Sequence, residues 1–387
     1  MKNESPKDPR KTVLVVDDVP ENLAVVSVIL KETCRVLVAT SGAKALELAR
    51  ELPHPDLILL DVMMPGMDGY KVCNLLKEDP GTNDIPVIFL TGQSETSDET
   101  HGFEVGAVDY IRKPFSPAIV QARVQTHLVL RGIREQLAQQ LLTIQKELET
   151  ARKIQDSILP REFPVIGGLD IAARYVPMTA VAGDFYDFIA VDDKHIGILV
   201  ADVSGHGMPA ALIASMLKIA LAIQAPNAAD PALVLSGLNS TLYGKFQHQY
   251  VTAAYVYLDM EQHRIRYAGA AHPPILYRSS PGDHVRQVLE NGLFIGWFES
   301  PAYKAVELEM SAGGWCVMYT DGIPETANPS EVEFGEERFR AFLGERDWTS
   351  ADQLADALLE EVSRWSGAAP GVDPEDDITM VAFRLTK

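Results

Sequence analysis

Between Pro117 and Pro160 the chain runs without a proline, and apolar residues return every seven positions at Leu130, Leu137, Ile144, Ala151 and Ile158. A second, weaker row, Arg134, Leu141, Leu148 and Gln155, lies four positions beyond the first. Ser116 is a good N-cap and Pro117 a good first helical residue, and Gly132 is the one helix-weakening residue inside. Two apolar rows repeating in sevens keep a single stripe facing a partner helix, which is the seam of a coiled coil. A helix of this length spans roughly 64 Å, more than one domain needs. The pattern therefore predicts a helical linker at 117–160 with an independent fold on each side, and a homodimer joined along the seam, with a long helix packed on its own domain as the alternative.

The rest of the composition agrees with two folded parts. The 387 residues suit about two or three domains, and with 47% hydrophobic residues each part can bury a core. The formal net charge is −20. Such a surface repels phosphates and anionic lipid heads, so the charge argues against a nucleic-acid partner and against a membrane surface. Cys34, Cys73 and Cys316 are far apart and form no CxxC pair, so neither a disulfide framework nor a thiolate metal site is expected. No run of 18 apolar residues and no apolar leader follow Met1, which points to the cytoplasm.

Before the helix, after a tail at 1–10, five short apolar runs alternate with helical stretches. They are Thr12–Val16, Val36–Ala39, Leu57–Leu60, Pro86–Leu90 and Val108–Ile111. That alternation predicts an α/β domain over 11–116 with a parallel, doubly wound sheet. Ligands of such sheets sit outside the carboxyl ends of the strands, and the polar residues fall there. Asp17 and Asp18 end the first run, Asp61 the third and Thr91 the fourth, with Lys113 just past the fifth. Three crowded carboxylates call for a hard cation such as Mg²⁺. A lone carboxylate among them can act as nucleophile and form an acyl phosphate. Asp68-Gly69, taken alone, is a turn signal.

Past 160, strand-like stretches such as Ile196–Asp202, Trp315–Thr320 and Thr379–Arg384 flank helical patterns at Pro209–Ile223 and Ala351–Trp365. This predicts an α+β layered sandwich over 161–387. Four acidic spots stand beside glycine or at strand edges: Gly183-Asp184, Ala201-Asp202-Val203-Ser204-Gly205-His206-Gly207, Thr320-Asp321-Gly322 and Asp376-Asp377-Ile378-Thr379. An all-oxygen donor set suits Mg²⁺ or Mn²⁺ over zinc. Two such ions sharing a carboxylate suit phosphoester hydrolysis.

The residues from Lys11 to Arg123 resemble the receiver domain of two-component response regulators. The motifs are Val15-Val16-Asp17-Asp18, Leu60-Asp61-Val62-Met63-Met64-Pro65-Gly66, Leu90-Thr91-Gly92 and Lys113-Pro114-Phe115. That resemblance implies Asp61 as phosphoacceptor and Mg²⁺ on Asp18, Asp61 and the Met63 carbonyl, with Asp17 behind them. It further implies Thr91 and Lys113 on the phosphoryl group, Tyr110 as the switch aromatic, and a sensor histidine kinase or phosphotransfer protein as partner.

Ala151 to Phe383 is similar to the metal-dependent PPM-type serine/threonine phosphatases, in the branch named for the stage II sporulation phosphatase. The supporting signatures are Ala151-Arg152-Lys153-Ile154-Gln155, Leu159-Pro160, Tyr250-Val251-Thr252-Ala253-Ala254 and His272-Pro273-Pro274. The likeness implies a pair of Mn²⁺ or Mg²⁺ ions, with Asp202 bridging them, assisted by the Val203 carbonyl. Asp184 then serves one ion, and Asp321 and Asp376 the other, with Asp377 open as an alternative to Asp376. It also implies a phosphorylated anti-anti-sigma factor as substrate. A silent domain acting as an adaptor for a sigma factor or its regulators is the competing class. Ala271 stands where this family has glycine, with local packing as the expected consequence, and Arg174 does not match the position of a phosphate-binding arginine.

Overall fold

Successive residues of a strand point to opposite faces, so a strand apolar at every position needs cover on both sides. The computed structural model describes residues 10–92, 102–246, 248–367 and 373–386; all but the last residue of the expected N-terminal tail, residues 1–9, lies outside them. Two compact units divide between Thr143 and Ile144.

In the first unit β1 (Thr12–Val16), β2 (Arg35–Ala39), β3 (Leu57–Asp61), β4 (Val87–Thr91) and β5 (Asp109–Arg112) form one sheet in the order β2-β1-β3-β4-β5. Every pairing is parallel. Helices α1 (Pro20–Leu30), α2 (Gly42–Arg50) and α3 (Gly69–Glu78) follow the first three strands. Val13, Val15, Leu57 and Leu59 pack on one face of the sheet with Leu23 and Val26. Leu14, Val16, Ile58 and Leu60 pack on the other with Val72 and Leu76. Asp68, expected only to turn the chain, caps α3 by accepting the Lys71 amide at 2.8 Å.

A single 42-residue helix, α4 (Pro117–Ile158), follows β5. Its first turns complete the sheet's cover, since Val120, Val124 and Leu128 are buried among the residues of the first face. Beyond them Leu130, Leu137, Leu141 and Ile144 are each just over half exposed.

The second unit contains two antiparallel-rich sheets. One comprises β7 (Phe185–Ala190), β8 (His195–Val203), β9 (Val251–Asp259), β10 (Arg264–Ala270) and β13 (Asn291–Gly292), with β14 (Val306–Glu309) also on β10. The other runs β12 (Arg286–Val288), β11 (Ile275–Arg278), β15 (Trp315–Tyr319), β16 (Ile378–Leu385) and β6 (Leu169–Val176). Ile196, Ile198 and Val200 of β8 meet Met318, Val381 and Phe383 between the sheets. The opposite face of β8 packs under α5 (Met208–Ile223) and α6 (Pro231–Leu242). Trp315, Val317 and Met380 pack under α7 (Glu336–Gly344) and α8 (Ala351–Ser366). The result is a four-layer helix–sheet–sheet–helix sandwich, in accord with the layered class expected. Among the described residues no helix is long and apolar enough to cross a membrane.

Candidate functional sites

The parallel order of the first sheet brings the ends of β1, β3, β4 and β5 to one edge, and five polar side chains collect there. Asp17, Asp18 and Asp61 have ligand oxygens mutually within 4.8 Å, and among the described residues they are the one trio of acidic, imidazole or thiol groups so assembled. Asp17 is fully buried and Asp61 nearly so. The Lys113 ammonium donates to Asp17 Oδ2 at 2.7 Å and to Asp61 Oδ1 at 2.8 Å. Asn22 and the Val19 amide add further donors to Asp17. Burial raises the Asp61 carboxyl above its ordinary value; the Lys113 bond opposes this, and the Asp17 and Asp18 charges reinforce it. Burial pulls Lys113 down, but its bonds to Asp17 and Asp61 carry it above its usual value. One ammonium against three carboxylates leaves the cluster negative, and its oxygens suit a hard divalent cation. Met63 is exposed in the loop beyond Asp61. Thr91 and Tyr110 line one small cavity with Phe89 and Ala107. The Arg123 guanidinium lies 5.0 Å from the Tyr110 ring centre.

In the second unit the pairings Phe185↔Ala201 and Tyr319↔Met380 put the start of one strand beside the end of its antiparallel neighbour. Asp184 stands before β7 and Asp202 near the end of β8; Asp321 follows β15, and Asp376 and Asp377 precede β16. The two strand-end pairs are tied together across the sandwich. The Thr320 hydroxyl donates to Asp184 Oδ2 at 2.8 Å and accepts the Thr379 amide at 3.0 Å. Asp377 accepts the Met178 amide at 2.7 Å and the Gly183 amide at 2.8 Å, one on each oxygen.

Two glycines permit this closeness. A Cβ on Gly183 would stand 2.8 Å from the Val203 carbonyl oxygen, and one on Gly322 would stand 2.1 Å from that of Asp377. Hence the Val203 carbonyl faces the segment that carries Asp184, and the Asp321–Gly322 turn rests on the Asp377 backbone.

Burial, then the charges of Asp321, Asp376, Asp377 and Glu325, pushes the Asp202 carboxyl up to about 7. Burial and then Asp202 push Asp184 well above the usual carboxylate range. The neighbours that shift Asp202 most are thus all acids. Asp184 is buried, Asp202 and Asp321 are partly buried and Asp376 is exposed. Like charges gathered round a buried carboxylate are costly without a cation, and an all-oxygen donor set is chemically suited to divalent cations. Among the described residues no three of these carboxylates bring ligand oxygens within 4.8 Å of one another.

Thr252, directly opposite Asp202 in the β8–β9 pairing, shares a 2.8 Å hydrogen bond with His272 Nδ1. His272 is buried, which lowers its imidazole to about 3, and it stays neutral. Ala271 next to it has φ +49°. The cost of alanine there is therefore backbone strain, of roughly 1–2 kcal/mol, and local packing is the wrong expectation. Arg174 is committed to Asp352 at 2.9 Å and Asp356 at 2.7 Å. His206 is exposed in the loop before α5.

Sequence reasoning assigned no role to three groups that the structure draws in. Thr320 is the hydroxyl bridge described above, and Glu325 adds its charge to Asp202. The third is Gln155, near the end of α4, whose amide donates to the Ala182 carbonyl at 2.7 Å and accepts the Ala182 amide at 3.0 Å. Its place inside a quoted signature was the available signal, but its partner lies 27 residues away.

Residues 13–125 match the response regulator receiver domain, and residues 192–386 match stage II sporulation protein E. Phosphoserine phosphatase RsbU of Bacillus subtilis (strain 168) is 32% identical over 262 residues, covering 67% of this chain and 74% of that protein. A probable cyclic di-GMP phosphodiesterase of Vibrio cholerae serotype O1 is 43% identical over 155 residues, 38% of this chain but only 34% of that protein. The chain thus spans about a third of that relative's length. Among solved structures, the SiaA-PP2C domain of Pseudomonas aeruginosa superposes with a TM-score of 0.56 at 26% identity, covering 63% of this chain and 98% of that one.

Proposed function

The chain belongs to the stage II sporulation protein E family of PPM-type phosphatases and carries a response-regulator receiver domain before the phosphatase domain, and on that premise we propose that phosphorylation of Asp61 controls a protein serine/threonine phosphatase. The observation that carries the catalytic reading is the gathering of strand-end acids around Asp202, where burial and then the charges of Asp321 and Asp376 are the largest causes of its raised carboxyl. Asp184, Asp202, Asp321, Asp376 and the Val203 carbonyl hold two Mn²⁺ or Mg²⁺ ions in this reading. Bound there, the pair supplies Lewis-acid assistance to phosphoester hydrolysis.

The remaining work falls to the chain itself. Thr320 fixes the Asp184 carboxylate, and Asp377 clamps the Met178 and Gly183 amides without serving as a ligand. In the receiver, Asp18, Asp61 and the Met63 carbonyl hold Mg²⁺ with Asp17 behind them. Lys113 bridges Asp61 and Asp17 by bonding both, which offsets part of their repulsion, and takes the phosphoryl oxygens together with Thr91. Tyr110, sharing a cavity with Thr91, reports the change. The proposed domains are a receiver at 11–116, a helical linker at 117–160 and a phosphatase domain at 161–387. A sensor histidine kinase or phosphotransfer protein supplies the phosphoryl group. The substrate is a phosphoserine protein, and the anti-anti-sigma factor implied by the resemblance is its first candidate. A cytoplasmic location fits all of these partners.

Coupling between the domains has a physical carrier in α4. Its first turns belong to the receiver core through Val120, Val124 and Leu128, and Gln155 near its end is bonded to Ala182, two residues before Asp184. A shift of the helix thus acts on a metal-ligand loop, and coupling of this kind is worth about 5- to 150-fold. With Mn²⁺ and a phosphoserine peptide, an acyl-phosphate donor is expected to change the wild-type rate at least about fivefold. Asp61→Asn abolishes the response, and so does Gln155→Leu even though its receiver still takes up phosphate. Equal rates for Asp61→Asn and the phosphorylated wild type would refute the coupling.

The exposed row Leu130, Leu137, Leu141 and Ile144 supports a homodimer through the linker, because water-facing leucines at seven-residue spacing gain by pairing. Sedimentation is expected to give a dimer for the wild type and a monomer for the Leu137→Glu, Leu141→Glu double variant. A monomeric wild type at tens of micromolar overturns this part.

A further inference from the structure

An aromatic patch lies beside the phosphatase aspartates, on a segment that none of the catalytic roles uses. The ring centre of Phe294 lies 4.3 Å from that of Tyr250, 6.0 Å from Trp297 and 5.4 Å from Phe298. Trp297 is 48% exposed and Phe298 37%. Isolated surface aromatics are ordinary, but a packed group with an open indole is the composition of a binding hot spot.

The patch is continuous with the Asp202 loop. The Ser204 amide donates to the Tyr250 carbonyl at 2.9 Å, and the Tyr250 amide donates to Ser204 Oγ at 2.9 Å. Val251 pairs with Val203 on one side and exchanges two backbone hydrogen bonds with Ile295 on the other. Two strand spacings therefore separate Ile295 from Val203, roughly 10 Å. The platform is also held rigid from below. Buried Asn239 accepts the Gly296 amide at 2.9 Å and donates to the Phe298 carbonyl at 3.0 Å. Rigid aromatics lose little freedom on binding, which favours affinity.

We infer that Trp297 and Phe298, on the Tyr250–Phe294 base, dock an apolar side chain of the phosphoprotein substrate, two or three residues from its phosphoserine. The inference rests on the phosphatase reading above and adds to it a rule of substrate selection. Its reach follows from chain geometry. An extended peptide advances about 3.3 Å per residue, so with the phosphate among the aspartates the second or third neighbour arrives over the patch. A substrate is the occupant argued for, rather than a second copy, because the patch is bonded through Tyr250 to Ser204, two residues past Asp202. The exposed stripe of α4 already offers a separate surface for pairing copies.

The test uses the full chain with Mn²⁺ and two phosphoserine peptides of equal length and charge. One carries leucine at the second and third positions on either side, the other serine there. Wild type is expected to favour the leucine peptide about tenfold or more in kcat/KM, mostly through KM, as burial of one leucine allows. In Trp297→Ala with Phe298→Ala the ratio falls to near one, and Trp297→Phe keeps an intermediate ratio. Because the readout is a ratio within one preparation, a partly unfolded variant does not mimic the result. A wild type without the preference, or a double variant that keeps it, overturns the docking surface. A double variant that changes the sedimentation coefficient and keeps the preference assigns the patch to a second copy and overturns it too. If wild type hydrolyses neither peptide nor a small chromogenic phosphoester with Mn²⁺, the phosphatase reading fails first and the inference falls with it.

Discussion

Asp202→Asn is expected to lower phosphoester turnover by about a thousandfold or more while leaving the fold intact. Asp202 stands where the charges of Asp321 and Asp376 converge, and it is the group whose field reaches Asp184 most strongly. On the proposed reading Asp202 would be shared by two cations, and its loss would forfeit several kcal/mol of transition-state stabilisation, each 1.4 kcal/mol being tenfold in rate. The same substitution has the opposite effect on stability without metal. Burial first, then its acidic neighbours, raises the folded-state pKa of Asp202 to about 7, above the ordinary value of 3.8. A carboxylate raised on folding costs stability as pH climbs from its unfolded pKa through its folded one. At pH 8 the full cost is present, and asparagine removes it. Metal-free Asp202→Asn should therefore melt at or above wild type at pH 8, with the difference vanishing near pH 4. Added Mn²⁺ raises the melting temperature of the wild-type phosphatase unit by mass action and leaves that transition nearly unmoved in the variant, whose receiver site is untouched. Thermal scans with chelator and with Mn²⁺, at both pH values, check this. A variant that keeps the metal-induced rise and more than a tenth of the turnover refutes the central role of Asp202.

The same contrast between local and distant causes explains what the sequence disclosed. The five receiver strands were legible because a parallel sheet covered on both faces needs runs such as Leu57-Ile58-Leu59-Leu60, with no polar alternation. The receiver aspartates were legible because they stand at the ends of such runs, and Asp184, Asp202, Asp321 and Asp376 because each stands beside glycine or at the edge of a strand-like stretch. Asp377 was not. Nothing in Asp376-Asp377 separates a ligand from a clamp, and what favours the proposed clamp role of Asp377 is the pair of amides that Met178 and Gly183, nearly 200 residues earlier, deliver to it. Gln155 was hidden in the same way, since a buried glutamine in a heptad reads as a weak seam position until Ala182 arrives. The short strands β12 to β14 and helix α7 carry too few residues for periodicity to register. The aromatic patch escaped because Tyr250 and Phe294 are 44 residues apart and meet only through the Val251–Ile295 bridge.

Exchange of the two neighbouring acids separates these roles in one experiment. Asp376 is exposed, and its charge raises both Asp202 and Asp321. Asp376→Ala should therefore leave the metal-free melting temperature unchanged or slightly higher, abolish the Mn²⁺-induced rise, and lower turnover at least about a hundredfold. Asp377 is buried, and both of its oxygens hold backbone amides. Its removal strands two donors, one of them fully buried, at about 1.5–3 kcal/mol each for bonds to a charged acceptor. Asp377→Ala should lower the metal-free melting temperature by roughly 10 °C, taking about 3 kcal/mol and 2–4 °C per kcal/mol for a unit of this size. Asparagine is no remedy there, because its amide nitrogen turns a donor toward one of the two amides. Turnover falls as well, since the Gly183 amide adjoins Asp184, but the residual activity should still rise with Mn²⁺. The opposite pattern, with the stability loss at Asp376 and the lost metal response at Asp377, would exchange the two assignments. Because the clamp joins the start of β16 to the segment before β7, its loss loosens the Gly183–Asp184 segment while the Thr320 hydroxyl still holds the Asp184 carboxylate, so on the proposed assignment the placing of one metal ligand depends on a carboxylate that is not itself one.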